Sequence, residues 1–334
     1  MMLLRLYTVS RGKSRYFLTF IIAKFLIISG VVQRAKNKAL RGDHILSIYF
    51  HKPSLKEFEE CVKWLQKNNF KFLSIDELYN IFQKQLPFPS GAVVLTVDDG
   101  WLSNKNNIAD VAEKYQIPVA IFVSTDPIEQ GTYWWSYVEE ARKRKLIKVS
   151  VKQLKKVPNE ERLAILDDLK MKIYLPREAM TIAQIQQIAT SKWVTIGAHT
   201  LSHPILNNCS ADQVYQELWQ SKEKLEKWIG KPVDYFAYPN GDYSEREISV
   251  LQDQGYKLAF TVHPDYLRPQ QLQHRYELPR FEVIENAPFA ETICRMMGVW
   301  KPVLGRVRRL FAGQTFSMQS RVSPSYGSKK IMST

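Results

Sequence analysis

From residue 44 onward, short apolar runs alternate with segments of helical period. This alternation constrains the fold more than any other feature of the chain. The runs are His44–Phe50, Lys71–Ile75, Ala92–Asp98, Val119–Thr125, Val194–His199, Tyr235–Pro239 and Leu258–Val262. Strands that are apolar throughout are buried on both faces, which implies a parallel sheet with helices packed outside it. Helical periods lie between the runs, over Ser54–Asn69, Asn104–Tyr115, Ala211–Ile229 and Ser244–Gln254. The first of these places Phe58, Cys61, Val62 and Leu65 on one face. The stretch from Asp126 to Met180 breaks the rhythm. It carries Tyr133-Trp134-Trp135 and several charged segments, and it is too long for a βα loop. It reads as a helical excursion lying over the strand ends.

The formal charge of +14 would suit a nucleic-acid binder if it were spread over the body. It is not. Residues 1–42 hold nine Lys/Arg and residues 295–334 hold eight, and neither stretch has an Asp or Glu. The remaining 30 basic residues face all 33 acidic ones in 43–294. That distribution argues against nucleic acid and for two basic tails that meet an anionic membrane surface. The predominantly apolar segment Phe17–Val32 is too short to span a bilayer and carries Lys24 at its middle. Basic residues flank it, so it reads as a membrane-associating interfacial helix. The expected organisation is thus a basic apolar helix over 1–42, a catalytic domain over 43–294 with its excursion at 126–180, and a partly disordered basic tail over 295–334. The three cysteines are scattered and form neither a disulfide framework nor a thiolate metal site, which leans toward a reducing compartment.

Two strand ends carry chemistry. Thr96-Val97-Asp98-Asp99-Gly100 closes the third run, and His199-Thr200-Leu201-Ser202-His203-Pro204 closes the fifth. Two carboxylates and two imidazoles suffice to hold one divalent metal and keep one base free beside it. Function in parallel sheets sits at the carboxyl ends of strands. His51, one residue past the first run, is at such an end too. Either motif alone carries little weight, since Asp-Asp-Gly also makes an ordinary turn; the pair together points to a hydrolytic metal site.

Val93–Gly100 resembles the T-F-D-D-G motif of the polysaccharide deacetylases, the NodB-homology or carbohydrate esterase family four. Ile196–Pro204 resembles the family's H-[ST]-x-x-H motif, Phe236–Gly241 its third motif and Leu278-Pro279-Arg280 its late L-P-R segment. Ala237 and Asn240 stand where many members carry Arg and Tyr, and Val97 where they carry Phe. The resemblance implies an irregular (β/α) barrel of about seven parallel strands with outer helices. It implies Asp99, His199 and His203 as ligands of one divalent ion, with zinc the first expectation and cobalt, nickel or manganese also compatible with the donor set. It implies Asp98 as general base, Arg280 as its holder, and Tyr238, Pro239 and Asn240 at the oxyanion and substrate. Many members carry a general-acid His in a late L-x-H motif; after residue 263 that spacing occurs here only at Leu272-Gln273-His274. Ser47–His51 instead resembles the permuted branch that includes the poly-N-acetylglucosamine deacetylases, in which the last strand and its His come first. His51 is therefore the expected acid, with His263 the alternative, His274 more remote, and His44 too early on its strand.

The function expected is hydrolysis of N-acetyl groups, as linear amides, on a bacterial glycan or lipid-linked sugar. The alternatives are a silent glycan-binding module and an O-acetyl esterase. The expected location is membrane-associated in a bacterial cell envelope, the cytoplasmic face favoured over the extracellular.

Overall fold

A computed structural model describes residues 13–301. Eight parallel strands form one curled sheet: β1 Leu46–Phe50, β2 Lys71–Phe72, β3 Ala92–Val97, β4 Val119–Val123, β5 Val194–Ala198, β6 Tyr235–Ala237, β7 Leu258–Phe260 and β8 Phe281–Glu282. Their order is β7-β6-β5-β4-β3-β1-β8, with β2 paired to the start of β3. The first strand thus lies between the third and the last. Leu278 and Arg280, just before β8, donate to the carbonyls of Ala259 in β7 and His263 beyond it, and Thr261 donates back to Leu278. The run Leu278–Glu282 therefore touches both edges and draws the sheet into a barrel.

The apolar runs explain this sheet. All residues of β1, β3 and β4 are buried. Along β3 the side chains alternate: Val93, Leu95 and Val97 join the core beneath the helices, while Ala92 and Val94 fill the barrel interior with Phe122, Phe260 and Leu278. That is the period-two geometry of a strand covered on both faces. Gly197 on β5 is required by packing, because a Cβ there would sit 2.5 Å from the Phe122 ring.

The strands are shorter than the apolar runs, for local reasons. Ser74 caps a helix over Ile75–Lys84 in a reciprocal box with Glu77, so the second run stops at Phe72. The fourth run stops at Val123, and Thr125 opens a short helix, Thr125–Gln130. The expected helix Asn104–Tyr115 starts as a wider π-type turn over Lys105–Ala109. The eighth strand has no counterpart among the seven runs.

Between β4 and β5 the chain forms the helices Thr125–Gln130, Trp134–Lys143, Val151–Leu154, Asn159–Lys172 and Ile182–Ile188. Trp134, Val138, Leu154, Leu166 and Leu169 give them a small core of their own.

Residues 17–32 do not form one helix. Helix α1, Lys13–Ile28, ends at Gly30, whose left-handed backbone (φ 74°) starts a second helix, α2, Val31–Leu40. Both pack on the barrel: Ala23, Leu26, Val32, Ala35 and Ala39 are buried in its main core. Gly91 N–H donates to the Ala39 carbonyl at 2.9 Å. The packed body therefore includes residues ahead of β1. At the other end Met296, Met297, Val299 and Trp300 are buried with the helix Phe289–Met296. Residues 1–12 and 302–334, including most of the expected basic C-terminal tail, lie outside the described residues.

Candidate metal and active site

The third strand stops at Val97, but Asp98 N–H still donates to the Phe50 carbonyl at 2.9 Å, so the register with β1 continues to the mouth of the barrel. The chain then turns sharply. Asp99, Thr200 and His203 all take left-handed backbone, with φ of 77°, 67° and 54°. Such geometry is uncommon outside glycine and collects at functional sites. Here it falls on the two loops that carry the carboxylates and imidazoles.

Asp99 Oδ1 lies 3.4 Å from Nε2 of His199 and 3.4 Å from Nε2 of His203. One ligand atom from each of the three lies within 4.8 Å of the others, and all three residues are buried. His199 Nδ1 sits 2.7 Å from the Ala237 carbonyl, which can only accept. Nδ1 therefore carries the proton and Nε2 offers its lone pair to the cluster, as a ligating histidine requires. Burial opposes the Asp99 anion, but hydrogen bonds from the two imidazoles, in the form that donates through Nε2, and the charge of His51 outweigh it and hold the carboxyl well below its usual range. Burial pushes His203 down, toward the neutral form that binds metal. A carboxylate oxygen and two imidazole nitrogens converging in a buried spot fit one divalent cation of the zinc type.

Asp98 is gripped from the other side. Arg280 donates through NH1 to Oδ1 at 2.8 Å and through NH2 to Oδ2 at 2.7 Å. Arg280 is itself fully buried, bonded to the Thr261 carbonyl and Thr96 hydroxyl, with its guanidinium 4.5 Å from the centre of the Tyr49 ring. Burial works against the Asp98 charge, and Arg280 with His199 outweighs it, so the group stays anionic. Each carboxylate oxygen keeps a second lone pair after the bidentate bond.

His51 lines a cleft of about 680 Å³ together with Asp99, Trp101, Trp135 and Glu285. Burial opposes its protonation, but Asp99 and Asp98 outweigh it and raise its pKa. The other three histidines are elsewhere. His263 is exposed. His274 is exposed and paired with Glu277 at 3.1 Å. His44 is buried at the opposite end of the first strand, 4.1 Å from the Tyr266 ring.

Tyr238 and Pro239 are buried, and Asn240 turns left-handed at φ 56°. The Tyr238 ring stacks on Tyr243 at 4.6 Å. At position 237 the backbone carbonyl, not the side chain, serves the site, by holding His199.

Several residues of the site carry no signal in the motifs. Trp101 Nε1 donates to Asp99 Oδ2 at 2.9 Å, which leaves Oδ1 facing the imidazoles. Its position directly after Asp-Asp-Gly was the available clue. The excursion supplies Trp134, whose Nε1 donates to the His203 carbonyl at 3.0 Å, and Trp135, whose ring meets His203 edge-on at 4.8 Å. Lys155 of the excursion donates to Asn240 Oδ1. Glu217, one turn inside the helix Ala211–Ile229, accepts from the Ser202 N–H at 2.8 Å and its hydroxyl at 2.5 Å, and so fixes the His loop.

Comparison with known proteins agrees with this architecture. The chain is 23% identical over 241 residues to the poly-beta-1,6-N-acetyl-D-glucosamine N-deacetylase of Staphylococcus aureus (strain MSSA476), covering 70% of this chain and 68% of that protein. It is 21% identical over 209 residues to YxkH of Bacillus subtilis (strain 168), covering 63% of this chain and only 58% of that protein. Among solved structures, the Streptococcus pyogenes deacetylase PplD superposes with a TM-score of 0.57 at 18% identity, over 76% of this chain and 98% of the other. IcaB from Ammonifex degensii superposes with a TM-score of 0.56 at 18% identity, over 77% and 98%. At such identities the structures speak for the fold. The sequence model described as "Polysaccharide deacetylase" matches residues 85–259. That span runs from before the Asp-Asp-Gly turn to past the His loop and covers more than half of the 334 residues, so the protein belongs to the polysaccharide deacetylase family.

Proposed function

We propose that the protein is a metal-dependent amide hydrolase that removes N-acetyl groups from a bacterial glycan. The observation that carries this reading is the convergence of Asp99, His199 and His203 beside an anionic Asp98 held by Arg280. Membership of the deacetylase family and similarity to a poly-N-acetylglucosamine deacetylase support the same chemistry.

Asp99 Oδ1 and the Nε2 atoms of His199 and His203 would hold the ion, zinc by first expectation. A divalent ion bound there supplies Lewis acidity toward the acyl oxygen and makes water acidic enough to attack at neutral pH. The chain does the rest. Asp98 takes a proton from the attacking water through a free lone pair, while Arg280 keeps the carboxylate oriented. The Tyr238–Asn240 turn borders the acyl oxygen, where a backbone N–H stabilises its developing charge. His51 gives its proton to the departing nitrogen, which leaves as an amine. Water is consumed, the acyl C–N bond breaks, and acetate and a free amino sugar result. The reading extends to place: the basic ends support association with an anionic membrane surface of a bacterial cell envelope, on its cytoplasmic face.

The experiment is metal analysis joined to acetate release. The purified chain is expected to hold about one ion, and chelation removes ion and activity together. Asp99→Ala, His199→Ala and His203→Ala lose both, whereas Asp98→Asn keeps the ion and loses turnover. A metal-free chain that releases acetate would end this reading. A metal-loaded chain that binds acetylated glycan without turnover would favour a silent binding module. Turnover confined to O-acetyl esters would favour the esterase.

A further inference from the structure

The outer face of α1 is apolar and uncovered in the described structure. Tyr16, Phe17, Phe20, Ile21, Phe25 and Ile28 are between 38% and 82% exposed, whereas Ala23 and Leu26 on the other face are buried. They fall at 16/17, 20/21, 25 and 28, recurring every three or four residues, which keeps them on one side of the helix. Six of the fourteen large apolar side chains exposed among the described residues lie on this one helix. Scattered exposed apolar residues are ordinary, but a contiguous patch marks a place that meets another surface.

Charge selects the partner. Residues 1–42 carry nine Lys/Arg and no acid, so the segment that bears the patch is itself cationic, while the adjoining groove carries Glu57, Glu60, Glu285 and Glu291. Lys24 emerges within the stripe and lies over the Phe20 ring at 5.5 Å. An apolar stripe with basic flanks and a snorkelling lysine matches an anionic lipid surface. Within the described residues this helix alone is not long and apolar enough to cross that surface. It has 16 residues, its inner face is committed to the protein core, and α2 leaves it at a 60° bend. It lies flat.

The same helix leads to the active site. Arg15, Tyr16 and Thr19 form one wall of a groove of about 670 Å³, whose other lining includes Ser54, Glu57, Glu285 and Asn286. Those four residues also line the cleft that holds His51, Asp99 and Trp101. The two hollows are therefore neighbours with these four residues in common, one opening beside the apolar stripe and the other at the ligand cluster.

We propose that α1 seats the enzyme on an anionic bilayer and that the groove receives an acetylated sugar still anchored to that bilayer by a lipid. This rests on the deacetylase reading and names its substrate class: a membrane-anchored glycan rather than a released polymer. The enzyme then acts after the reaction that attaches an N-acetylated sugar to its lipid carrier.

The test uses the full chain and the variant Phe17→Glu/Phe25→Glu/Ile28→Glu, all at exposed positions outside the catalytic cluster. Flotation is measured with phosphatidylcholine vesicles with and without phosphatidylglycerol. Acetate release is measured from a short N-acetylglucosamine oligomer, free and attached to a lipid in the same vesicles. The natural chain is expected to float with the anionic vesicles, less as salt rises, and to turn over the anchored oligomer at least about tenfold faster than the free one. The variant loses flotation and that advantage but keeps turnover of the free oligomer. Absence of flotation by the natural chain, equal turnover of free and anchored oligomer, or an unchanged variant overturns the proposal. So does a lipid-free dimer that the variant dissolves, since the stripe would then face a second copy. Loss of all acetate release with flotation intact would instead overturn the deacetylase reading and leave the docking standing.

Discussion

Two histidines sit at opposite ends of the first strand region, seven residues apart, and the barrel treats them in opposite ways. His51, at the mouth, faces Asp99 and Asp98, which raise its pKa against the effect of burial. His44, at the far end, is buried against Tyr266, and burial assisted by Arg268 lowers its pKa to about 4. Its Nε2 has no hydrogen-bond partner among the described residues. One imidazole is drawn toward its protonated form, as the proposed acid role needs, and the other is kept neutral as packing. The difference comes from topology. Parallel strands end together, so the polar residues that follow them gather at one rim, whereas His44 enters the first strand at the other.

Removing His51 is expected to have the largest effect on this comparison. Acid catalysis at a departing amine is worth about 10²–10⁴ in rate, so His51→Ala should lose that factor with acetamides and keep its metal. Activated esters, whose leaving groups need no proton, should be spared. His44→Ala should leave turnover within about threefold of the natural chain, since it touches nothing at the mouth. Equal loss on esters and amides in His51→Ala, or an amide-selective loss in His263→Ala, would break the assignment.

A second, smaller effect tests how the mouth is held. Trp101 bonds Asp99 through Nε1, and its ring is packed 4.1 Å from Tyr133, with Lys52 over it at 4.4 Å. Trp101→Phe keeps most of the ring and removes only the donor. Loss of such an outer partner typically weakens metal binding about 10–100-fold. Competition with a chelating dye, read on the unreacted protein, should report that drop. Undiminished affinity would mean that the imidazoles alone orient Asp99.

Much of this was legible in the sequence, and what was not has physical causes. The strand runs could be read because burial on both faces leaves no polar interruption. Where they overran, as at Ser74 and Thr125, a helix start took residues that are equally apolar or β-branched. The strand Phe281–Glu282 escaped because two residues show no period. The residues Asp98, Asp99, His199 and His203 could be singled out because two local motifs each end a strand. Trp135, Glu217 and Lys155 could not. They reach the site through tertiary packing of the excursion and of the helix Ala211–Ile229, and nothing near them in sequence records that contact. The N-terminal helices were read as apolar and basic, but their packing on the barrel depends on the helix Phe289–Met296, some 260 residues away.

The smallest expected effect concerns stability alone and sharpens the other half of the comparison. His44 titrates near its ordinary 6.5 in the unfolded chain and at about 4 in the folded one. Between those values the unfolded chain binds more protons, so folding stability falls as pH drops from about 6.5 toward 4 and is fully retained above 6.5. Arg268 and Lys38 push in this direction, and Asp43 and Asp265 oppose them. The penalty at pH 4 is on the order of 2 kcal/mol. His44→Phe keeps an aromatic ring against Tyr266 and removes the orphaned nitrogen, so it should be neutral or slightly stabilising at pH 8. Carboxylates elsewhere titrate in both proteins and cancel in the difference. Urea midpoints for the pair should therefore nearly coincide at pH 8 and separate as pH falls to 4.5, with the variant the more stable. Parallel curves across that range would mean that His44 is not held neutral, and that the two rims of the barrel differ less than their surroundings imply.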